Sequence, residues 1–389
     1  MCDQSLHVGP NKDGDRVIFQ PDAFVPVSKP LIPVDALDAT YRGYLPGRGY
    51  TLCLGAGISR GIAPTWIDLA REIINEVFGT GYDEQTFERI VSSSAWSLDA
   101  WIQIAANELL TRGKTIADID YLIESKLYAK VRTRAKGLGL EKYLTQVLNS
   151  PTSAPRNRVI DVWDFIQSAF SDSSLLKLVR FLISAAKREK APRAILTFNA
   201  DTFLETAIDL ALRSEHYLGP GPHGHPTYYF VAVTRPGQGA GTKIPIFHCH
   251  GAIAPSAGAS GRHLDGRDRL VFLESEYLAA ASRLAMWSQT VFMYYAQSTK
   301  LAFVGMSMSD SNIRRWMSAV DQEKSRDRTL LRAEARVNPE HIWISVRPAD
   351  AAERRINLVS QTHLGVRPAW IGSWKDLELA LRNLPALRD

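Results

Sequence analysis

An unbroken apolar run, Tyr50 to Leu54, gives way to Gly55-Ala56-Gly57-Ile58-Ser59 and then to a helix-like stretch from Thr65 to Val77. No other feature constrains the chain as much. This order of strand, tight turn and helix lets backbone N–H groups and the positive end of a helix hold a pyrophosphate. The rest of the chain is consistent with it. Further strand candidates are Ala194 to Phe198, Tyr228 to Val233, Ile244 to His248, Leu270 to Leu273, Leu301 to Val304, Ile342 to Val346 and Ala369 to Ile371. Helical patterns over Ser174 to Lys187, Thr202 to Arg213, Glu276 to Gln297 and Trp374 to Asn383 separate several of them. Helix and strand in alternation predict an α/β fold, a Rossmann-like parallel sheet with helices on both faces.

Two regions stand outside that alternation. Residues 1–48 are rich in proline, including Pro21, Pro26, Pro30, Pro33 and Pro46, and read as an extended arm that lies on its own core or on a neighbouring subunit. Between about Gly81 and Asp172 the apolar residues recur at helical spacing, as in Trp101, Ile104, Ala105 and Leu109. This region is read as a helical insertion in a catalytic domain that spans residues 49–389. The glycine-rich stretches Leu218 to His225 and Ala254 to Gly266 read as surface loops near the pocket.

Composition narrows the function classes. With 45% hydrophobic and 22% charged residues, the chain has enough apolar material for a large core. No apolar run reaches the roughly 20 residues that cross a bilayer, and the polar start, Met1 to Arg16, lacks the apolar centre of a signal peptide. A cytoplasmic protein is expected. Forty-six basic residues against 41 acidic ones leave a charge of only +5. The densest basic stretch, Lys126 to Lys142, is interleaved with only Tyr128 and Tyr143, so it reads as solvated surface and direct nucleic-acid binding is not expected. Cys2, Cys53 and Cys249 are too dispersed for a disulfide framework or a paired Cys-x-x-Cys metal site.

Four strand ends carry the chemistry. At the first, a dehydrogenase fingerprint fails: its third glycine position holds Arg60, with Gly61 one residue late, and the region around Asn75 to Phe78, where a ribose-binding acid would end a strand, looks helical. The plain alternative is a turn serving chain reversal alone. The second, Thr197-Phe198-Asn199-Ala200-Asp201, stands where helix caps and ligand-binding side chains both occur. The third is His250-Gly251, with a histidine able to take a proton near neutrality. Strand alternation predicts His248 and His250 on one face and Cys249 on the other, which argues against zinc. The fourth is Val304-Gly305-Met306-Ser307, where a small residue and a hydroxyl suit approach to a ribose or phosphate, while Ser309 or Asp310 caps the helix that follows.

Together the Gly-Ala-Gly-Ile-Ser turn, the Thr-x-Asn-x-Asp turn, the His-Gly pair and the late Gly-x-Ser resemble the sirtuin family over roughly Gly49 to Ile371. The resemblance implies that Ala56, Gly57 and Ser59 hold NAD phosphates, that Asn199 and Asp201 serve the nicotinamide-ribose end with Thr197 also binding the cofactor, that His250 is the base, and that Gly305 and Ser307 meet the adenosine half. The departures matter as well. Deacetylating sirtuins carry two Cys-x-x-Cys pairs for zinc, and this sequence has none. Gly61-Ile62-Ala63-Pro64-Thr65-Trp66, Phe198 in place of glutamine, and Gly305-Met306-Ser307-Met308-Ser309-Asp310 look like the divergent sirtuin-like branch of bacterial antiphage systems, whose members hydrolyse NAD.

That resemblance implies an NAD glycohydrolase releasing nicotinamide and ADP-ribose, with NAD as substrate and no metal. Catalysis is assigned to Asn199, Asp201 and His250. It further implies control by self-assembly as a homo-oligomer or by a partner, such as a HerA-type DNA-translocating ATPase, an Argonaute-linked protein or another defence sensor. Two other readings of the same pocket are a protein deacylase or ADP-ribosyltransferase, and a non-catalytic subunit that senses NAD or ADP-ribose. Three catalytic-type side chains argue against the last, because holding a dinucleotide needs only the glycine turns.

Overall fold

The computed structural model describes residues 49–151, 154–218, 229–255, 270–282, 286–330 and 341–383. The arm at 1–48, most of both glycine-rich loops and Tyr228 lie outside them. Within them a seven-stranded sheet has every strand parallel to its neighbours. The strands are β1 (Tyr50–Leu54), β2 (Ala194–Thr197), β3 (Phe230–Val233), β4 (Ile244–His248), β5 (Lys300–Val304), β6 (His341–Val346) and β7 (Val366–Ile371), in the order β3-β4-β2-β1-β5-β6-β7. The chain winds outward on one side of β1 and returns to its other side, so β1 lies at the point where strand order reverses. Ligands bind there in open α/β sheets, beyond the carboxyl ends of the strands.

Register brings those ends level. Leu54 is opposite Thr197 and Val304, and Thr197 is opposite His248. The four segments that follow these residues therefore leave the same edge of the sheet side by side.

Every residue of β1 is buried, as expected of a central parallel strand covered on both faces. Leu52, Leu54, Ile195, Ile246, Ala302 and Val304 pack on one side with the helices α7 (Ser174–Lys187) and α8 (Phe203–Leu218). Cys53, Leu196, Leu301 and Phe303 pack on the other, with Phe292, Trp316 and Met317 from the helices Trp287–Ser298 and Ser311–Leu330.

A third apolar cluster belongs to the region that precedes α7. Helix α1 (Trp66–Phe78) starts at the cap Thr65, whose hydroxyl accepts from the Asp68 amide, and ends at Gly79 with φ +66°. It packs with α2 (Glu84–Ser93), α3 (Leu98–Thr111) and α4 (Ile116–Lys136) through Leu69, Ile73, Phe87, Ile102, Ile119 and Ile123. Two more helices, α5 (Glu141–Asn149) and α6 (Arg156–Ala169), complete the interval 81–172. The basic stretch lies on α4 and α5 with local partners: Lys126 pairs with Glu76, and Arg134 donates 2.7 Å to the Ala169 carbonyl while stacking over Phe170.

The last strand starts three residues before the expected Ala369, and three other elements differ from the sequence expectations more substantially. Leu270 to Leu273 is not a strand; the run is buried, but its Leu270, Phe272 and Leu273 pack into the α1–α4 cluster, and the Val271 amide bonds the His250 carbonyl at 3.1 Å. A short apolar run announces burial without announcing which layer it enters. The long helix read over Glu276 to Gln297 is two, Glu274–Ser282 and Trp287–Ser298. The closing helix is a 3-10 turn, Trp374–Asp376, capped by Ser373, followed by Leu377–Arg382. No described helix is long and apolar enough to cross a membrane.

Candidate active site at the carboxyl edge of the sheet

A cavity of about 340 Å³ opens where the segments after β1, β2, β4 and β5 meet. Ala56, Gly57, Ser59, Asn199, Asp201, His250, Gly305 and Ser307 all line it. Thr197 does not. It is buried at the end of β2, where its hydroxyl accepts the Asn199 amide at 3.2 Å, so it shapes the turn that presents Asn199 instead of facing a ligand. Trp66 and Phe272, packed edge to face at 5.0 Å between centroids, form part of the apolar wall.

On one side of the cavity, backbone touches backbone. The Gly55 amide donates to the Val304 carbonyl at 3.1 Å and the Gly57 amide to the Gly305 carbonyl at 2.9 Å. A Cβ on Gly57 would stand 2.8 Å from the Gly305 oxygen, and one on Gly305, whose φ is +67°, only 2.5 Å from the Ile58 nitrogen. Only glycine permits this approach. The helix expected from Thr65 is present as α1, with Thr65 as its cap. A 3-10 turn, Ala56–Ser59, follows the strand, and α1 begins only after the segment Arg60 to Pro64. The Gly57 amide is thus engaged with Gly305, and the positive end of α1 is set back from the strand end. Arg60, at the exposed rim, supplies a guanidinium to the wall; in sequence it registered only as a misplaced glycine.

The opposite side is made of polar side chains. The Asn199 side-chain amide donates to the Ser59 hydroxyl at 3.3 Å, and that hydroxyl lies close enough to the Asp201 carboxyl to favour its charged form. Asn199 Oδ1 is buried without a hydrogen-bond partner in the protein. Such an atom costs on the order of 1–3 kcal/mol unless something else donates to it. Asp201 fills both roles open to it, capping α8 by accepting the Phe203 amide at 3.1 Å while facing the cavity. Burial pushes its carboxyl up to about 6, with Glu205 adding to the effect and the Phe203 amide, Ser59 and His248 opposing it.

The two histidines do not share a face. His248 ends β4 and is 1% exposed, with Nε2 3.0 Å from Oε1 of Glu205 on α8. The chain turns after it, with Gly251 at φ +77°, and His250 reaches the cavity instead, edge-on to Phe198 at 5.0 Å. Alternation applies only while the strand continues, and β4 stops at His248. Burial holds the His250 imidazole below its ordinary range, against the pull of Asp310, so it is neutral at pH 7 with a lone pair available. Cys249 packs with Cys53 in the cluster on the far face of the sheet. Among the described residues no three His, Cys, Asp or Glu side chains are grouped to hold a metal.

Past β5, the Ser307 and Ser309 hydroxyls bond each other at 2.6 Å in an exposed turn. Asp310 is the residue that caps the helix Ser311–Leu330, accepting the Asn312 and Ile313 amides at 2.8 and 3.0 Å, and it also lines the cavity. Tyr277, from Glu274–Ser282, brings a phenol near Asp310, and its ring centroid lies 6.3 Å from that of His250. Nothing in the sequence signals Tyr277, because a helix outside the sheet delivers it.

Residues 193–365 match the SIR2-like domain family. The matched segment contains Asn199, Asp201, His250, Gly305 and Ser307 and excludes the glycine turn after β1. The sirtuin-like character is therefore supported independently of that turn. Domains of this kind bind NAD and are often NAD-dependent enzymes. Among curated proteins none matches the chain.

Proposed function

We propose that the protein is an NAD glycohydrolase that cleaves NAD to nicotinamide and ADP-ribose. The observation that carries this reading is the convergence, in one cavity, of a neutral His250, a buried Asn199 oxygen with no partner, and the Asp201 carboxyl. In the reaction the bond between ribose C1′ and the nicotinamide nitrogen breaks, and its electron pair neutralises the positive pyridinium. Water then bonds to C1′ and surrenders a proton. Asn199 orients that water or the ribose, Asp201 supports the positive charge developing on the sugar, and His250 takes the proton directly or through a ribose hydroxyl. The turn Ala56–Ser59 and the Arg60 guanidinium, which line the cavity, hold the pyrophosphate by polar contact and charge. No step calls for an acyl-lysine substrate, and the sequence lacks the Cys-x-x-Cys pairs of deacetylating sirtuins.

The resemblance to defence-branch sirtuins supports a role in depleting NAD during antiphage defence, in the cytoplasm. A hydrolase of a shared cofactor must be restrained, which favours control by homo-oligomerisation or by a partner such as a HerA-type ATPase or another defence sensor. The test is incubation of the protein with NAD alone, with NAD and a chelator, and with NAD and an acyl-lysine peptide. Nicotinamide and ADP-ribose in equal amounts under all three conditions are expected. Release that required the peptide and yielded O-acylated ADP-ribose would overturn hydrolysis in favour of deacylation. Transfer of ADP-ribose to protein would favour ADP-ribosyltransferase. Tight binding without turnover, with or without its partner, would favour a sensor.

A further inference from the structure

The string His248-Cys249-His250 contains two imidazoles, and the chemistry above uses one. The other is the most buried histidine near the cavity. His248 and Glu205 have side chains only 1% and 7% exposed, with Nε2 and Oε1 3.0 Å apart. Neither Glu205 oxygen and neither His248 ring nitrogen meets hydrogen-bond geometry with a partner in the protein, so the contact is one of proximity and charge. Removing such a pair from water cancels most of its attraction, so an apolar pair of equal volume would stabilise the fold as well. Its position is more informative than its strength. His248 is the last residue of β4, two before His250, and Glu205 is one helical turn beyond Asp201. The pair ties the strand that delivers His250 to the helix that starts at Asp201.

The charged and titratable groups facing it come from three elements. From α8 there are Glu205 and Asp201; from the turn after β2, the Asn199 main-chain carbonyl; from α4, the Tyr128 phenol, which feels both carboxylates. Tyr128 donates 2.7 Å to the Ile253 carbonyl and accepts the Thr202 amide at 3.0 Å, so from its own side it closes the same two segments together.

We propose that Glu205 and His248 form a positioning pair for the reacting residues, locking the His250 turn to the Asn199–Asp201 turn and placing a positive charge behind the Asp201 carboxylate. The inference deepens the hydrolase reading and rests on it for its kinetic consequence. It also has a consequence of its own, because the lock carries charge only while His248 is protonated. Burial alone would depress that imidazole, but Glu205, Asp201 and the Asn199 carbonyl outweigh it and raise it above the ordinary histidine range. A raised histidine keeps its pairing below its folded value and loses it as pH rises through that value. Asp201 works in the opposite direction, becoming charged only as pH passes about 6. The rate should therefore rise with Asp201 ionisation and fall with His248 deprotonation.

The experiment uses His248→Lys, His248→Gln and Glu205→Gln in the full chain. Turnover against pH, NAD affinity by calorimetry and thermal melting are measured for each. With His248→Gln, kcat should fall about tenfold at pH 7 with NAD affinity within about threefold, and the acid limb should move upward because the cation behind Asp201 is gone. With His248→Lys the charge persists at all working pH values, so the alkaline limb should disappear and much of kcat return. A structural role alone predicts no such rescue, since lysine reproduces the charge and not the shape of the ring. Independently of activity, nitrogen NMR of labelled histidine, assigned with the lysine variant, should show the His248 resonance titrating above the ordinary range in the wild type and falling back in Glu205→Gln. A His248 that titrates normally, or a folded His248→Gln with both pH limbs unmoved, would overturn the pairing role. If the wild type does not cleave NAD at all, the NMR result still decides whether the charged pair exists, so the two failures are distinguishable.

Discussion

The two sides of the cavity are built on opposite principles. Where the segment after β1 meets the segment after β5, Gly57 and Gly305 touch through main chain, and no side chain could be inserted. Where the segments after β2 and β4 meet, Asn199, Asp201 and His250 project side chains over a buried pair of charges, with the Asn199 oxygen and the Glu205 oxygens unsatisfied and the Asp201 carboxyl pushed upward. The first side is at its steric optimum and gains nothing from change. The second holds interactions that the folded protein would be more stable without. Binding belongs naturally to a rigid backbone cradle. Reaction belongs to groups kept in an unfavourable protonation or hydrogen-bonding state until substrate arrives.

This contrast is most exposed to refutation in the polar half. His250→Ala and Asn199→Ala should each lower kcat by at least about a hundredfold, some 3 kcal/mol of transition-state stabilisation, while NAD affinity changes by less than about tenfold. Rapid-quench turnover and calorimetry on the same preparations separate the two quantities. Loss of affinity as large as the loss of rate would mean that the polar side binds and that the division of labour is wrong.

The steric half should respond in stability first. Gly305→Ala forces a side chain into a left-handed conformation at φ +67° and against the Ile58 nitrogen. A loss of about 2–3 kcal/mol of folding stability is expected, together with weakened NAD binding. Urea denaturation provides the measurement. A variant as stable as the parent would show that the two loops can separate at no cost.

Asp201→Asn should act with opposite sign on stability and on rate. A carboxyl whose folded value is about 6, against an ordinary 3.8, is neutral in both states below its unfolded value. Between about 4 and 6 the unfolded chain ionises first and stability is lost, and above 6 the buried carboxylate remains a net cost. Asparagine keeps the acceptor for the Phe203 amide and removes that cost. At pH 8 the variant should gain on the order of 1 kcal/mol in stability while losing turnover. Equal or lower stability at pH 8, with the gain absent also at pH 7, would remove Asp201 from the set of groups held at an energetic cost.

How far these features could be read in the sequence follows from how far apart their partners lie. The central strands were legible because a parallel strand covered on both faces is a continuous apolar run, as in β1 and β5. So were the strand ends whose polar residues reach one cavity, since register places Leu54, Thr197, His248 and Val304 level. Leu270 to Leu273 has the pattern of a strand but not its place, because its burial comes from α1 and its neighbours rather than from the sheet. Thr197 stands in the same short string as Asn199 and Asp201, and spacing does not say which of the three side chains faces inward. The partnership of His248 with Glu205, and that of Tyr128 with Thr202 and Ile253, spans tens of residues and follows no period. Such contacts depend on how helices settle on the sheet, which spacing alone does not encode.

The smallest effect tests where the backbone cradle ends. Ser307 lies beyond Gly305 on the same segment, lines the cavity, and is exposed, with its hydroxyl bonded to that of Ser309 at 2.6 Å. If the segment after β5 contributes mainly through main chain, Ser307→Ala should leave kcat within about twofold and raise KM by no more than about fivefold, roughly the worth of one solvent-accessible hydrogen bond. Melting should be unchanged, because the contact that is lost lies in water. A drop in kcat comparable to that of Asn199→Ala would place a reacting side chain on the steric side and erase the distinction between the two halves. An unchanged KM would instead bring the limit of the cradle back to Gly305.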